Sequence, residues 1–114
     1  MTEKFGERIR RKRLEKRLGL RETADLIDRS PTYLSRLERL EETHPPSEEV
    51  IRRLADLLED DFHELMQLAG RISSELTDFV KSDPMMPEFL RTAREQNISA
   101  EDLMKMLEQK KKDE

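Results

Sequence analysis

The sequence contains no cysteine and no tryptophan, and only three of its 114 residues are glycine. Without cysteine, the chain can form neither a disulfide nor a thiolate metal site, and the absence fits a reducing compartment. No run of about 18 apolar residues is present, so we expect no membrane-spanning helix. The basic start of the chain also lacks the apolar segment of a secretory signal.

Charge is what the sequence has in abundance. Charged residues make up 42% of the chain and hydrophobic residues 34%, which predicts one small domain, or a small domain with an appendage, around a small core. Residues 1–39 hold 12 Lys/Arg and 7 Asp/Glu, a net charge of +5, whereas residues 40–114 carry −9. This split favours a basic, DNA-facing first third on an acidic body.

Capping residues and apolar residues at helical spacing predict five helices in the first 70 residues. They begin near residues 4, 20, 31, 48 and 62. Ser30, Ser47 and Asp61 are predicted N-caps, whereas Gly19 should break the first helix and Gly70 should stop the fifth. The apolar positions predicted to form the core include Ala24, Ile27, Leu34, Leu37, Ile51, Leu54, Leu57 and Leu58, with Phe5, Ile9 and Leu14 on the first helix.

The second and third helices are short and are joined by a tight turn at Asp28. Aspartate tolerates the left-handed conformation better than most residues with a side chain. The third helix has a strong start signal, because Ser30 can cap it and Pro31 suits its first position. Two such helices around a tight turn form a helix-turn-helix pattern.

Three segments make the pattern more specific: "FGERIRRKR", "LRETADLIDRSPTYLSRLER" and "PPSEEVIRRLADLL". Together they resemble the phage-repressor and Cro-like (XRE) family of helix-turn-helix transcriptional regulators, over about residues 5–69. The resemblance implies an all-α fold with a five-helix repressor-like domain over residues 1–70. It also implies that Arg13, in the first helix, forms a structural ion pair with Glu38 at the end of the third.

The sequence departs from the family pattern where the third helix ends. The family usually has glycine at the position of Leu40, and leucine avoids the left-handed conformation that glycine supplies. We therefore expect the third helix to run on toward Glu42. The adjacent carboxylates of Glu41 and Glu42 would then lie near DNA phosphates unless the loop turns them away. A second departure is Leu20, where the family commonly has a glutamine that can bind phosphate.

By this resemblance, the third helix lies in the major groove of double-stranded DNA. The candidates for base readout are Pro31, Thr32, Ser35 and Arg36, of which Arg36 is the strongest because its guanidinium matches guanine. The candidates for phosphate contact are Arg10, Arg11, Arg21, Arg29 and Tyr33. Two plainer interpretations stay open: Arg36 as a solvated surface arginine, and Tyr33 as a residue packed against the second helix.

Nothing in the sequence suggests catalysis or a cofactor. His44 and His63 are the only histidines, and neither has a partner at metal-ligand spacing. There is no glycine-rich phosphate loop, and no nucleophile with a recognisable base. We therefore expect a protein that is not an enzyme and that needs neither metal nor cofactor.

Residues 71–114 lie outside the resemblance and are predicted to form two to three further helices. Asp83-Pro84 and Pro87 should interrupt them, Ser99 should cap the last one, and "KKKDE" should be a frayed end. The apolar residues predicted to form a dimer or partner surface are Phe79, Val80, Phe89, Leu90, Leu103, Met106 and Leu107. The alternative is that they fold back and enlarge the core of the domain.

Two functions therefore remain open. The first is a sequence-specific DNA-binding regulator, a homodimeric repressor in the cytoplasm of a bacterium or encoded by a phage, and nucleoid-associated when bound. The second is an antitoxin-like or adaptor protein that acts mainly through protein binding by its acidic C-terminal helices.

Overall fold

The computed structural model describes residues 3–114, which form eight α-helices and no β-strand. The helices are α1 (Phe5–Glu15), α2 (Leu20–Leu26), α3 (Pro31–Glu38), α4 (Glu48–Leu58), α5 (Phe62–Leu68), α6 (Ser74–Ser82), α7 (Met85–Glu95) and α8 (Ala100–Asp113). The prediction of an all-α fold is confirmed. The chain divides into two compact units, the first ending at Ser73 and the second spanning Ser74–Glu114.

The helices begin where local side-chain chemistry predicts. The side chains of Ser30, Ser47 and Asp61 each accept a hydrogen bond from the backbone amide three residues later, at 2.9–3.2 Å. Ser99 and Asp102 form a reciprocal capping box at the start of α8. Each cap satisfies a backbone amide that has no partner within its helix.

Several helices end on residue types that do not usually mark a helix end. The residue after the last turn is left-handed in six places, Arg17, Asp28, Leu40, Glu59, Gly70 and Asn97, and only one of these is glycine. Asp28 and Gly70 confirm their predicted roles. Gly19 does not break the first helix, because that helix ends at Glu15 and Gly19 is the N-cap of α2.

The expectation that the third helix continues past Leu40 is wrong. Leu40 has a φ of 63°, and α3 ends at Glu38. Two backbone hydrogen bonds close this end, from the amide of Glu41 to the carbonyl of Arg36 at 2.9 Å and from that of Leu40 to Leu37 at 3.3 Å. These bonds satisfy carbonyls of the last turn, and they hold leucine in a conformation that it otherwise avoids.

The core of the first unit comes from all five of its helices. Residues with no exposed surface include Ile9, Ala24, Ile27, Leu34, Ile51, Leu54 and Leu65, while Phe5, Leu37 and Leu58 are nearly as buried. Two predicted core residues lie elsewhere: Leu14 is 50% exposed, and Leu57 is only partly buried at the edge.

Two close contacts hold α1 against the rest of the first unit. Gly6 is buried against the end of α3, where a Cβ atom would lie 2.3 Å from the carbonyl oxygen of Leu37, so only glycine fits there. Arg8 forms a two-pronged ion pair with Asp60, at 2.7 and 2.9 Å. Burial alone would raise the pKa of Asp60, but the hydrogen bonds from Arg8 and from the amide of Asp61 outweigh it and lower that pKa.

The second unit contains α6, α7 and α8, and one prediction about it is wrong. Pro87 does not interrupt a helix, because it lies in the first turn of α7, where a backbone amide needs no helical partner. The helix α8 continues through Asp113, so residues 110–113 of the end that was predicted to fray are helical. Its last turn carries Lys110, Lys111 and Lys112, whose charges suit a helix C-terminus. Over residues 3–114, no helix is both long and apolar enough to cross a membrane.

Candidate nucleic-acid interface

The turn between α2 and α3 is fixed by backbone and side-chain hydrogen bonds. The amide of Arg29 donates to the carbonyl of Ala24 at 2.9 Å, which closes α2 around the left-handed Asp28. Arg53, on α4, donates to the carbonyl of Ile27 at 3.2 Å and lies 4.0 Å from the carboxylate of Asp28. The sequence interpretation missed Arg53, because nothing in its spacing shows that it reaches the turn.

Arg13 and Glu38 form a bidentate ion pair between α1 and the end of α3. The two hydrogen bonds are 2.7 and 2.9 Å long, and a third joins Arg13 to the carbonyl of Leu18 at 2.9 Å. Both residues are buried, and the hydrogen bonds to Glu38 raise the pKa of Arg13. The pair fixes the position of α3 relative to α1, which is the role that the family resemblance implied for it.

The structure brings the four base-readout candidates together on α3. Thr32 and Arg36 are exposed, and Pro31 and Ser35 are partly exposed. Ser35 and Arg36 follow Thr32 by three and four positions, so each lies on the same side of the helix as Thr32. The opposite side carries Leu34 and Leu37, which are buried in the core. The first two turns of α3 therefore expose hydroxyl and guanidinium groups on a helix whose other side is packed in the core.

Tyr33 is partly buried and packs against the apolar core. Burial raises the pKa of its hydroxyl, and the nearby charges of Arg29, Glu42 and Arg71 act on it in opposing directions. The packing interpretation of Tyr33 thus agrees with its position. Arg71 was not among the sequence candidates, although it lies close enough to influence this hydroxyl.

The arginines assigned to phosphate contact lie at different places around α3. Arg29 is exposed immediately before the Ser30 cap, and Arg21 is exposed on α2. Arg10 and Arg11 line an open depression beside Glu38 and the end of α3. Arg10 is exposed, whereas Arg11 already contacts two carboxylates at 2.8 Å, those of Glu3 and Glu15.

The loop after α3 carries the two acidic residues that the sequence left in doubt. Glu42 lies 3.5 Å from the guanidinium of Arg36, and Glu41 lies 3.5 Å from that of Arg39. The loop therefore keeps Glu42 beside a side chain of α3, whereas Glu41 faces the residue that follows the helix. Further along, Arg71 donates a hydrogen bond to the carbonyl of Pro46, which ties the loop to the end of the first unit.

The two histidines lie apart and in ordinary surroundings. His44 is hydrogen-bonded to the hydroxyl of Thr43 at 3.0 Å, and His63 stacks edge-on against Phe62. Within the part of the chain that the structure describes, no three His, Asp or Glu residues cluster closely enough to hold a metal ion.

In the second unit, the residues assigned to a dimer or partner surface are largely exposed. Phe79, Phe89, Leu90, Met106 and Leu107 are all between 44% and 61% exposed. Val80 and Leu103 are partly buried, and Ala93 is the one residue of α6, α7 or α8 described as buried. These apolar side chains therefore do not serve mainly as the core of their own unit.

Comparisons with known proteins agree with this geometry. The family model described as "Helix-turn-helix domain" matches residues 4–70. A chain of the SinR protein/SinI protein complex is 25% identical, with 94% of each chain covered and a TM-score of 0.50. The clp gene regulator ClgR from Corynebacterium glutamicum is 22% identical over 83% of this chain and 92% of its own, also with a TM-score of 0.50.

A third solved structure is similar to part of the chain. In the crystal structure of SinR, described as the master regulator for biofilm formation, in complex with DNA, the chain is 32% identical. That match covers 54% of this chain and 97% of the other, with a TM-score of 0.49. The search of curated proteins returned no match.

Proposed function

Because the chain belongs to the helix-turn-helix domain family, we propose that it is a sequence-specific regulator of transcription that binds double-stranded DNA. In this proposal, α3 enters the major groove and the second unit joins two copies into a repressor. The main support for the proposal is the exposed polar side of α3, whose opposite side packs into the core. We propose no enzymatic activity for the chain.

The chemistry of α3 suits the reading of base edges. The guanidinium of Arg36 can donate two hydrogen bonds to O6 and N7 of guanine, whereas the hydroxyls of Thr32 and Ser35 can pair with either kind of base. The cap at Ser30 and the Arg13–Glu38 pair hold both ends of the helix. Because these supports are formed within the protein itself, little ordering is needed when DNA binds.

The surrounding charges suit a duplex even though the chain carries a net charge of −4. Arg10, Arg21 and Arg29 are exposed around α3, where each can neutralise a phosphate and release counterions. The acidic excess belongs to residues 40–114. We therefore propose local electrostatic attraction at the reading helix, with the acidic body held away from the duplex by repulsion.

Selection of bound duplexes from a random pool, followed by affinity measurements on the selected sequence, tests this function. Arg36→Ala should weaken binding to the selected duplex by about 1–3 kcal/mol and relax the preference for guanine at one position. Fluorescence anisotropy with a labelled duplex measures the loss at fixed salt. Because the contact is to a base edge, the loss should be smaller on a duplex without that guanine.

Arg91→Ala is the matched control, since it removes the same charge from an exposed position on α7. It should leave the affinity close to that of the wild type. If Arg36→Ala binds as tightly as Arg91→Ala, the readout assignment is wrong. If the pool yields no enriched sequence at all, the DNA-binding function is wrong and an adaptor function is favoured.

A second observation concerns protein partners. The apolar side chains of α6–α8 are exposed, and the chain is similar over 94% of its length to a chain of the SinR protein/SinI protein complex. We propose that this second unit mediates homodimerisation, because two copies would supply the paired reading helices that a two-fold operator requires. The same surface would also serve the alternative, antitoxin-like or adaptor function. A homodimeric repressor would act with the chromosome in the bacterial cytoplasm.

A further inference from the structure

The side chain of Arg36, the strongest candidate for base readout, faces a carboxylate of its own chain. Its Nε atom lies 3.5 Å from Oε1 of Glu42, in the loop that follows α3. The Arg36 side chain is 49% exposed and that of Glu42 is 25% exposed. The arginine is therefore available to a ligand, while the glutamate is partly enclosed beside it.

The position of Glu42 follows from the way α3 ends. Left-handed Leu40 reverses the chain after Glu38, and the amide of Glu41 is bonded to the carbonyl of Arg36 itself. This bond places the start of the loop directly beside the arginine. Downstream, Pro46 is buried and accepts a hydrogen bond from Arg71, so the loop is held at both ends.

The carboxylate also acts on a second residue of the same surface. The charge of Glu42 contributes to the raised pKa of Tyr33, although burial of the ring is the larger cause. Glu42 therefore lies near two of the side chains that the sequence assigned to DNA contact. Its neighbour Glu41 instead faces Arg39, which lies beyond the last residue of α3.

We propose that Glu42 is a specificity-determining residue, an internal anion that competes with DNA for the guanidinium of Arg36. The inference rests on the proposed DNA-binding function. In the free protein, the Nε side of Arg36 is paired with Glu42, so a contact between Arg36 and DNA has to compete with that pair. Two hydrogen bonds to guanine replace it well, because they match the planar guanidinium.

A duplex without guanine at that position offers no such replacement. Arg36 then stays with Glu42 and does not neutralise a phosphate. Glu42 therefore weakens non-specific binding more than it weakens binding to the preferred sequence. This selection against wrong partners by an internal competitor increases specificity at some cost in affinity.

The experiment is a comparison of wild type and Glu42→Gln on the selected duplex and on an unrelated duplex, over a range of salt concentrations. Glutamine keeps the shape of glutamate and removes its charge. For the unrelated duplex, the affinity should increase by about two- to fivefold, as expected for loss of one partly exposed ion pair. The salt slope on that duplex should become steeper by about one unit, because Arg36 is free to neutralise one more phosphate.

The selected duplex should gain less, so the ratio of the two affinities should fall. Combining Glu42→Gln with Arg36→Ala separates competition from simple repulsion. If Glu42 acts through Arg36, the substitution should change little in the Arg36→Ala background. An equal gain in both backgrounds would overturn the inference, since the carboxylate would then act on the DNA alone.

Glu49→Gln is the matched control, because Glu49 is also paired with an arginine, Arg53 on the same helix, at 2.6 Å. It should leave both affinities close to wild type. If wild type binds its selected duplex and Glu42→Gln behaves like Glu49→Gln, this inference is wrong while the DNA-binding function stands. If neither wild type nor Glu42→Gln binds any duplex, the proposed function is wrong and the inference is overturned with it.

Discussion

Arg13 and Glu38 are an ion pair that is costly to break because both partners are buried. Glu38→Ala removes the carboxylate and leaves the guanidinium of Arg13 in a site that water barely reaches. We expect the free energy of unfolding to fall by about 3–5 kcal/mol, the usual cost of an uncompensated buried charge. Urea unfolding followed by circular dichroism measures this loss as a lower midpoint.

Two variants test the reason for the loss. Glu49→Ala breaks an ion pair of similar length on the surface of α4 and should cost less than about 1 kcal/mol. The double variant Arg13→Met with Glu38→Leu replaces both charges by apolar side chains and should recover much of the stability. A Glu38→Ala protein as stable as Glu49→Ala would contradict the role given to burial.

Single residues differ in how far the sequence reveals their roles. The Arg13–Glu38 pair could be anticipated because both positions match a family pattern, and Arg36 could be placed on α3 by helical periodicity. The approach of Glu42 to Arg36 could not, because it depends on the left-handed turn at Leu40. Arg53 was missed for the same physical reason: its contact with the carbonyl of Ile27 is set by packing between helices.

At the scale of helices, starts were predictable, whereas only some ends were, such as those at Asp28 and Gly70. A start is marked by a side chain that bonds a nearby amide, as at Ser30, Ser47 and Asp61, and this chemistry is local. An end in this chain is marked by a left-handed residue, and arginine, leucine and glutamate serve where glycine is usual. The hydrogen bonds that close these ends are made by the backbone, so the residue type carries little signal.

Arg17 illustrates the energetic cost of a left-handed residue that is not glycine. It follows α1 with a φ of 58°, and its amide bonds the carbonyl of Leu14 at 3.0 Å. A residue with a Cβ atom is disfavoured by about 1–2 kcal/mol in this conformation, whereas glycine is not. Arg17→Gly should therefore stabilise the protein by about 1 kcal/mol, after the greater freedom of glycine in the unfolded chain is deducted.

Thermal and urea unfolding of Arg17→Gly and Arg17→Ala provide the check. Alanine keeps the Cβ atom and hence the strain, so Arg17→Ala should unfold close to wild type. It also controls for loss of the exposed arginine side chain. If both variants shift stability equally, the effect belongs to the lost charge, and the conformational explanation is wrong.

At the scale of the whole molecule, the two units differ in how much of their apolar surface they bury. The first unit buries a core drawn from five helices, whereas α6–α8 leave most of their large apolar side chains exposed. Composition predicted the lean core, since only 34% of residues are hydrophobic. It could not decide between an enlarged core and a partner surface, because periodicity shows which residues share a side of a helix but not what covers them.

Leu107→Glu tests the proposed homodimer at this scale. Leu107 is 61% exposed on α8, so the substitution should leave each copy folded while placing a charge in the apolar contact between copies. Sedimentation should show a dimer for wild type and a monomer for Leu107→Glu. Gln109→Glu adds the same charge two residues away and should remain a dimer.

Because linked reading helices bind as one unit, Leu107→Glu should lose affinity for a duplex with two half-sites and little for a single half-site. A wild-type protein that sediments as a monomer and binds both duplexes like Leu107→Glu would contradict dimerisation through α8.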